Sequence, residues 1–340
     1  MKNNYFSLPL NEQRIVIEQA AIRQSLPKQA VEKDLWVTAI LQVLFGLPCA
    51  DSLVFKGGTS ISKVWGLISR FSEDIDLAIG RSLFGLDGDL TKKGVKKLRK
   101  ASSVFVKEKL CQQLQETIIQ TPLKDLCQID AQPDGEGEST YPEPRTIFVR
   151  YQSIFEDKLD YIAPIIKIEA GARSLLEPAE NKQISSMVEN ALPNINTTIA
   201  NNQVRTAVAE KTFLEKAFLL HELFSVSNTT EANRRSRHIY DLHMMMKRGI
   251  MDKAIKDDAL WETIRHHRAT LTSMNGVDYT PDIRDRIQLI PSKECRDNWQ
   301  TDYELMTGAM IYGPKPTFAE LMASMKDLER RFRDRKQATE

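Results

Sequence analysis

The chain has 340 residues, 41% of them hydrophobic and 27% charged, with 47 Lys and Arg against 46 Asp and Glu for a formal net charge of +1. These are globular values that exclude a disordered chain and predict two domains, or one large domain with an appendage. A charge so near zero excludes a whole-molecule field for nucleic acid or an anionic membrane, so any basic site has to be local. The polar N-terminal start carries no secretory apolar core. The longest apolar-rich stretch, 35–47, is too short to span a bilayer and is broken by Gln42, which predicts no membrane segment. Cys49, Cys111, Cys127 and Cys295 are scattered, with no C-x-x-C pair. That spacing argues against a zinc knuckle or a disulfide framework and predicts reduced thiols in a reducing cytoplasm.

In chain order, 10–23 has helical spacing and stops near Pro27, and 29–45 predicts a second helix with a wide apolar face of Val31, Leu35, Ala39, Ile40, Leu41 and Leu44. A short strand-like run, 52–55, leads to Gly57-Gly58, and 59–67 returns to helical spacing. Residues 74–79 alternate acidic with apolar, as a strand with one polar face does. A long basic helix is predicted over 91–114, strands over 145–151 and 164–170, and a surface loop over the acidic, proline-containing stretch 132–144. Beyond about Pro193, the stretches 205–223, 233–247, 253–270 and 317–335 read as helices and strand signals nearly vanish. The expected architecture is a mixed α/β half followed by a mostly helical half, with the break near 180–200.

The chemistry concentrates in Lys56-Gly-Gly-Thr-Ser60 and Arg70-Phe-Ser-Glu-Asp-Ile-Asp-Leu77. Paired glycines after a strand let the backbone turn sharply and approach a ligand. A helix opening at Thr59 would aim free N–H groups at an anion such as a nucleotide phosphate. The spacing is not that of a Walker P-loop. Asp74 and Asp76, two apart on a strand, project from one face, and like charges so close are tolerated when a divalent cation sits between them. Ile75, Leu77 and Ile79 would face the core.

This combination resembles the nucleotidyltransferase β fold, in which a glycine pair precedes D-x-D and a third carboxylate from a later strand completes a metal site. Glu169, following the alternating Ile166 and Ile168, is the expected supplier. With Glu210-Lys-Thr-Phe-Leu-Glu-Lys-Ala217 and Ser236-Arg-His-Ile-Tyr-Asp-Leu242 in order behind them, these motifs resemble the AbiEii/AbiGii-type nucleotidyltransferase toxins of bacteria, to which MenT-type toxins also belong. Glu32-Lys-Asp34, Asp302-Tyr303 and Met310-Ile-Tyr-Gly313 extend the likeness over most of the chain.

The resemblance implies a nucleotidyltransferase-like mixed sheet with flanking helices over 1–190 and a helical domain over 191–340 that completes the nucleotide site. It places nucleotide contacts on Lys56, Gly57, Gly58, Thr59, Ser60, Lys63, Arg70 and Lys216, and metal ligands on Asp74, Asp76 and Glu169. Lys216 matches the family's essential lysine and would meet the triphosphate as a point charge. Asp241 matches its later aspartate, with a role open among orienting Lys216, binding a nucleophile, and pairing with Arg237 or Arg234. The implied reaction moves a nucleoside monophosphate from NTP, with Mg²⁺ or Mn²⁺, to an acceptor, tRNA or another RNA first. The implied setting is a toxin restrained by a cognate antitoxin, in the cytoplasm, as in phage defence. Two alternatives stand beside it: nucleotidylation of a protein hydroxyl, and a non-catalytic inhibitor that sequesters RNA or protein.

His238 and His243 flank Asp241 at a spacing that puts them poorly on one helix face, and no histidine metal site is expected. Between Thr91 and Leu110 there are eight Lys or Arg and one acidic residue, Glu108, a local excess suited to RNA phosphates.

Overall fold

The alternation around Asp76 becomes the middle of a sheet. The computed structural model describes residues 3–135, 140–157, 162–226 and 232–334, and the chain divides into two compact units, Met1–Val64 with Phe71–Ala207, and Trp65–Arg70 with Val208–Glu340. Part of the loop expected over 132–144, and Arg335 at the end of the last expected helix, lie outside the described residues.

The first unit runs β1 (Asn3–Asn4), α1 (Leu10–Gln24), α2 (Lys28–Leu44), β2 (Leu53–Lys56), α3 (Gly57–Lys63), β3 (Ile75–Ile79), α4 (Lys92–Phe105), α5 (Cys111–Ile118), β4 (Cys127–Ala131), β5 (Arg145–Tyr151), β6 (Ile165–Gly171), β7 (Ala179–Gln183), α6 (Met187–Ala191), β8 (Ile195–Asn196) and β9 (Gln203–Ala207). Seven strands form a mixed sheet in the order β4-β5-β6-β3-β2-β9-β7. β3 pairs antiparallel with β2 and parallel with β6. It is a central strand, and the apolar side of its alternation (Ile75, Leu77, Ile79) is fully buried, as the pattern requires.

Two expectations change. The break between the units falls at Ala207, later than 180–200, because 203–207 is a strand, β9, and not the start of a helix; it pairs with β2 and β7. β7 itself reads Ala-Glu-Asn-Lys-Gln, polar on both sides, so it carries no alternation to read; it lies at the sheet edge, where polar strands are tolerated. The second change is α2. The expected one-sided helix is buried from Gln29 to Leu44 on every side, charged residues included. Buried charges need partners, and Glu32, Lys33 and Asp34 each have one within the first unit.

The long basic helix forms over α4 and α5, joined through a π-helical turn, Val106–Leu110. Thr91 starts it, its Oγ1 accepting from the Gly94 N–H at 3.2 Å. Along its first turns Lys92, Lys93, Lys96, Lys97 and Lys100 are exposed while Leu98 is buried.

The second unit is helical: α7 (Ala209–Ser225), α8 (Ser236–Lys247), α9 (Ile250–Lys256), α10 (Asp258–His267), α11 (Arg296–Ala309) and α12 (Phe318–Asp334). The single helix expected over 253–270 is two, divided at Asp257, whose side chain caps α10. Its core packs Phe218 of α7 against Trp261 of α10, ring centroids 4.5 Å apart, with Phe332 of α12 at 5.0 Å from the same indole. Each large side chain so buried contributes roughly 1.5–3 kcal/mol. Among the described residues no helix is long and apolar enough to cross a membrane.

Candidate active site

In the first unit the sheet register aligns the acidic residues. Lys56 of β2 lies opposite Asp76 of β3, Asp76 lies beside Glu169 of β6, and Glu169 lies opposite Thr146 of β5. Residues in register on neighbouring strands share a face, so one polar row, Lys56–Asp76–Glu169–Thr146, crosses the sheet. The flanking rows are apolar: Ile75 sits beside Ile168 and Leu77 beside Ala170, all buried. A slip of one residue would drive these carboxylates into the core, which is why the register holds.

The turn after β2 meets this row. Gly57 has φ +76°, and a Cβ built on it would lie 2.0 Å from Asp76 Oδ2 and 2.7 Å from its Cγ. The carboxylate therefore rests over bare backbone. From the first turn of α3, buried Thr59 donates its Oγ1 hydrogen to the Asp74 carbonyl at 2.5 Å and meets Ser72 Oγ at 2.8 Å. Ser60 Oγ donates back to the Gly57 carbonyl at 2.9 Å. These hydroxyls shape the turn and fix the backbone that enters β3.

Carboxylate oxygens suit a hard divalent cation such as Mg²⁺ or Mn²⁺. Asp76 and Glu169, neighbours on one face, fit that chemistry, with Asp74 at the entry to the strand. Among the described residues no three His, Cys, Asp or Glu side chains converge closely enough to hold an ion unaided. Mg²⁺ commonly takes one or two carboxylates and completes its shell with water and substrate phosphates, which a pair of register neighbours satisfies.

The second unit holds a buried charge cluster. Arg70 grips Asp241 with two bonds, Nε to Oδ1 at 2.7 Å and Nη2 to Oδ2 at 2.8 Å. Lys216 Nζ of α7 reaches the same Oδ2 at 2.9 Å and His238 Nδ1 at 3.4 Å. His238 and Asp241, three apart on α8, share one helix face. Burial alone would raise the Asp241 carboxyl, but Arg70 and Lys216 outweigh it and hold it well below the usual carboxylate range. Burial, followed by the positive charge of Lys216 and Arg237, drives His238 far below its ordinary value, so a neutral imidazole accepts from the ammonium. Lys216 is itself lowered by burial and by Arg70 and Arg237, against the pull of Asp241.

Two motifs from the sequence find their work here. Tyr312 N–H and Gly313 N–H donate to the Ser69 carbonyl at 3.1 and 3.2 Å, and a Cβ on Gly313 would stand 2.2 Å from Ser69 Cβ, so this segment presses directly on the backbone that carries Arg70. Asp302 accepts from the Arg234 and Ser236 N–H groups at 2.6 and 2.9 Å and so caps α8.

The family model of the AbiEii nucleotidyltransferase toxin, type IV toxin–antitoxin system, matches residues 40–329. The chain belongs to the AbiEii nucleotidyltransferase toxin family. A solved structure, MenT4, a nucleotidyltransferase toxin from Mycobacterium tuberculosis H37Rv, has the same fold, with a TM-score of 0.55 and 16% identity over 96% of this chain and 90% of that one. No curated protein matches the sequence. This AbiEii chain is accordingly a nucleotidyltransferase with an NTP substrate, and its toxin–antitoxin family supplies an antitoxin as partner.

Placed on this AbiEii chain, the expected nucleotide-contacting residues separate. Lys56, Gly57 and Gly58 stand at the turn. Lys63 does not: its ammonium goes to Asp34 Oδ1 at 2.6 Å, Thr38 Oγ1 at 2.8 Å and the Ser185 carbonyl at 3.3 Å, which ties α3 to α2. Arg70 is buried against Asp241, a partner 171 positions away along the chain and so hidden from the sequence. Of the roles left open for Asp241, the contacts here are with Lys216 and Arg70 rather than Arg234 or Arg237. Lys33 of α2, which pairs with Glu73 beside Asp74, and His238, which meets Lys216, were not among the expected site residues. The signal for Lys33 was present: three consecutive charges in a helix whose following residues, 35–44, are apolar but for Thr38 and Gln42.

Proposed function

We propose that this chain transfers a nucleoside monophosphate from an NTP to an RNA acceptor, tRNA foremost, releases pyrophosphate, and requires Mg²⁺ or Mn²⁺. The observation that carries the reading is the Asp76–Glu169 row lying against the Gly57 turn. Asp76 and Glu169, with Asp74 at the strand entry, would hold the cation, which supplies charge neutralisation at the α-phosphate and the leaving pyrophosphate. The bare Gly57 backbone lets a phosphate approach the carboxylates without meeting a side chain. Lys56, across the ladder from Asp76, adds a cation to the same face. Thr59 and the β2–β3 ladder hold this arrangement before substrate arrives, so little ordering remains for the reaction itself.

RNA is favoured over a protein hydroxyl by α4. Its exposed Lys92, Lys93, Lys96, Lys97 and Lys100 belong to the same unit as the carboxylates, and the helix is tied to the end of β6 by the Ala172 N–H donating to Ser102 Oγ at 3.1 Å. Such a cluster binds a polyanion in an otherwise neutral chain.

The test is to incubate purified protein with each α-labelled NTP and Mg²⁺ or Mn²⁺, adding purified tRNA, total RNA, or RNase-treated lysate. Ribonuclease-sensitive label on RNA is expected. Label on protein in the RNase-treated lysate would move the acceptor to a protein hydroxyl, and no label with any NTP would leave only a sequestering inhibitor.

A further inference from the structure

The buried triplet Glu32-Lys33-Asp34 of α2 has no part in the transfer chemistry proposed for Asp76 and Glu169. Successive residues of a helix point about 100° apart, so in a fully buried helix three adjacent charges reach three separate neighbours. Glu32 accepts from Ser153 Oγ at 2.6 Å and from the Ile154 N–H at 2.8 Å, just past β5. Asp34 takes Lys63 at the end of α3 and accepts from the Met187 N–H at 2.7 Å, at the start of α6. Lys33, between them, pairs with Glu73 and donates to the Ala163 carbonyl at 2.9 Å.

Those two partners are informative by position. Glu73 immediately precedes Asp74, and Ala163 lies two residues before β6, the strand that presents Glu169. One buried ammonium thus ties the lead-in of the strand bearing Asp76 to the lead-in of the strand bearing Glu169. Thr59 fixes the next point along, the Asp74 carbonyl. The β3–β6 register begins at Ile75, so Glu73 and Asp74 lie just ahead of the paired residues. The Lys33 side chain is 4% exposed and that of Glu73 18%, so water screens this anchor little and its loss is felt.

We propose that Lys33 is a positioning residue for the nucleotidyl-transfer site: through Glu73 and Ala163 it sets the spacing of the carboxylates that receive the divalent cation. The proposal rests on the assignment of Asp76 and Glu169 as cation ligands. It contacts neither substrate nor cation, and its effect passes through the two strand entries.

The experiment compares wild type with Lys33→Met, which keeps the aliphatic stem, Lys33→Arg, which keeps the charge, Glu73→Gln, which weakens the same anchor from the other side, and Asp76→Asn. Four quantities are read for each: melting temperature without metal, Mn²⁺ binding by electron paramagnetic resonance, kcat, and KM for NTP at saturating Mg²⁺. Lys33→Met is expected to weaken Mn²⁺ binding and lower kcat at least tenfold while KM moves less than threefold; Lys33→Arg is expected to recover much of both. The double variant Lys33→Met/Glu73→Gln is expected to be no worse than Lys33→Met, because both changes remove one anchor. If Lys33→Met does not fold, Glu73→Gln decides the matter on the same two readouts. A folded Lys33→Met, or in its place Glu73→Gln, with wild-type Mn²⁺ binding and kcat overturns the positioning role while an inactive Asp76→Asn leaves the site assignment standing. If Asp76→Asn still binds Mn²⁺ and transfers nucleotide, the site assignment itself is wrong and this proposal falls with it.

Discussion

Asp76 Oδ2 occupies the space in which a side chain on Gly57 would begin, 2.0 Å from the Cβ position. The turn and the carboxylate coexist only because residue 57 is glycine, which also permits its φ of +76°. Gly57→Ala should therefore strain the backbone and displace Asp76 together, costing about 1–3 kcal/mol. Urea unfolding measures the first effect. Nucleotide transfer measures the second and should be lost well beyond what the fall in stability explains; an alanine variant with full activity would show that the close approach of turn and carboxylate is incidental.

Asp76→Asn separates a cation ligand from a structural carboxylate by sign. Asp76 sits beside Glu169 on one face, so removing its charge relieves like-charge repulsion in the metal-free protein. The variant should melt at the same or a higher temperature without metal, show no upward shift with Mg²⁺ and NTP, and transfer no nucleotide. A structural role would instead destabilise the protein by about 1–3 kcal/mol, with activity falling only in step.

The Arg70–Asp241–Lys216–His238 cluster makes stability depend on pH in two windows. Asp241 is held below its ordinary 3.8, so on acidification the unfolded chain takes up that proton first. Its contribution is complete above about pH 4 and is lost as pH falls through its native value, by up to about 1.4 kcal/mol per pH unit. His238 is held well below 6.5, so the same sign applies: stability is complete above that value and declines beneath it. Urea midpoints from pH 3 to 8 should show both declines. His238→Gln should reduce the upper one, leaving the part due to His221 and His243, which burial also lowers, while Asp241→Asn should cost about 3–5 kcal/mol at neutral pH by leaving two buried cations without their carboxylate.

Lys216→Met removes one cation and leaves Asp241 gripped by Arg70, so the fold should persist. Transfer should fall at least about tenfold, the value of one charge-assisted contact. Wild-type turnover in this variant would reduce Lys216 to a packing residue of α7.

Reversing Lys92, Lys96 and Lys100 to Glu on the exposed side of α4 should weaken RNA binding, flatten its dependence on salt and leave NTP binding intact. Filter binding across a series of salt concentrations checks all three. An unchanged slope would mark this face as merely solvated.

Much of the first unit could be read locally. A glycine pair after an apolar run marks a turn, and Asp-Ile-Asp-Leu commits a strand to one polar and one buried face, because both signals depend on residues a few positions apart. The family's motifs lie on those same short stretches. What could not be read is where strands and charges find partners. β7, polar on both sides, becomes a strand only because β9 is there to pair with it.

The sequence by itself determined the turn at Gly57, the alternation through Asp76 and the passage from an α/β half to a helical one. Only the tertiary structure decided that Glu169 lies beside Asp76, that Lys63 turns to Asp34, and that Arg70 meets Asp241 across 171 positions. Periodicity and propensity are properties of chain neighbours. Ladder register and the pairing of buried charges are settled by the whole fold, which cannot close while a charge in its interior lacks a partner.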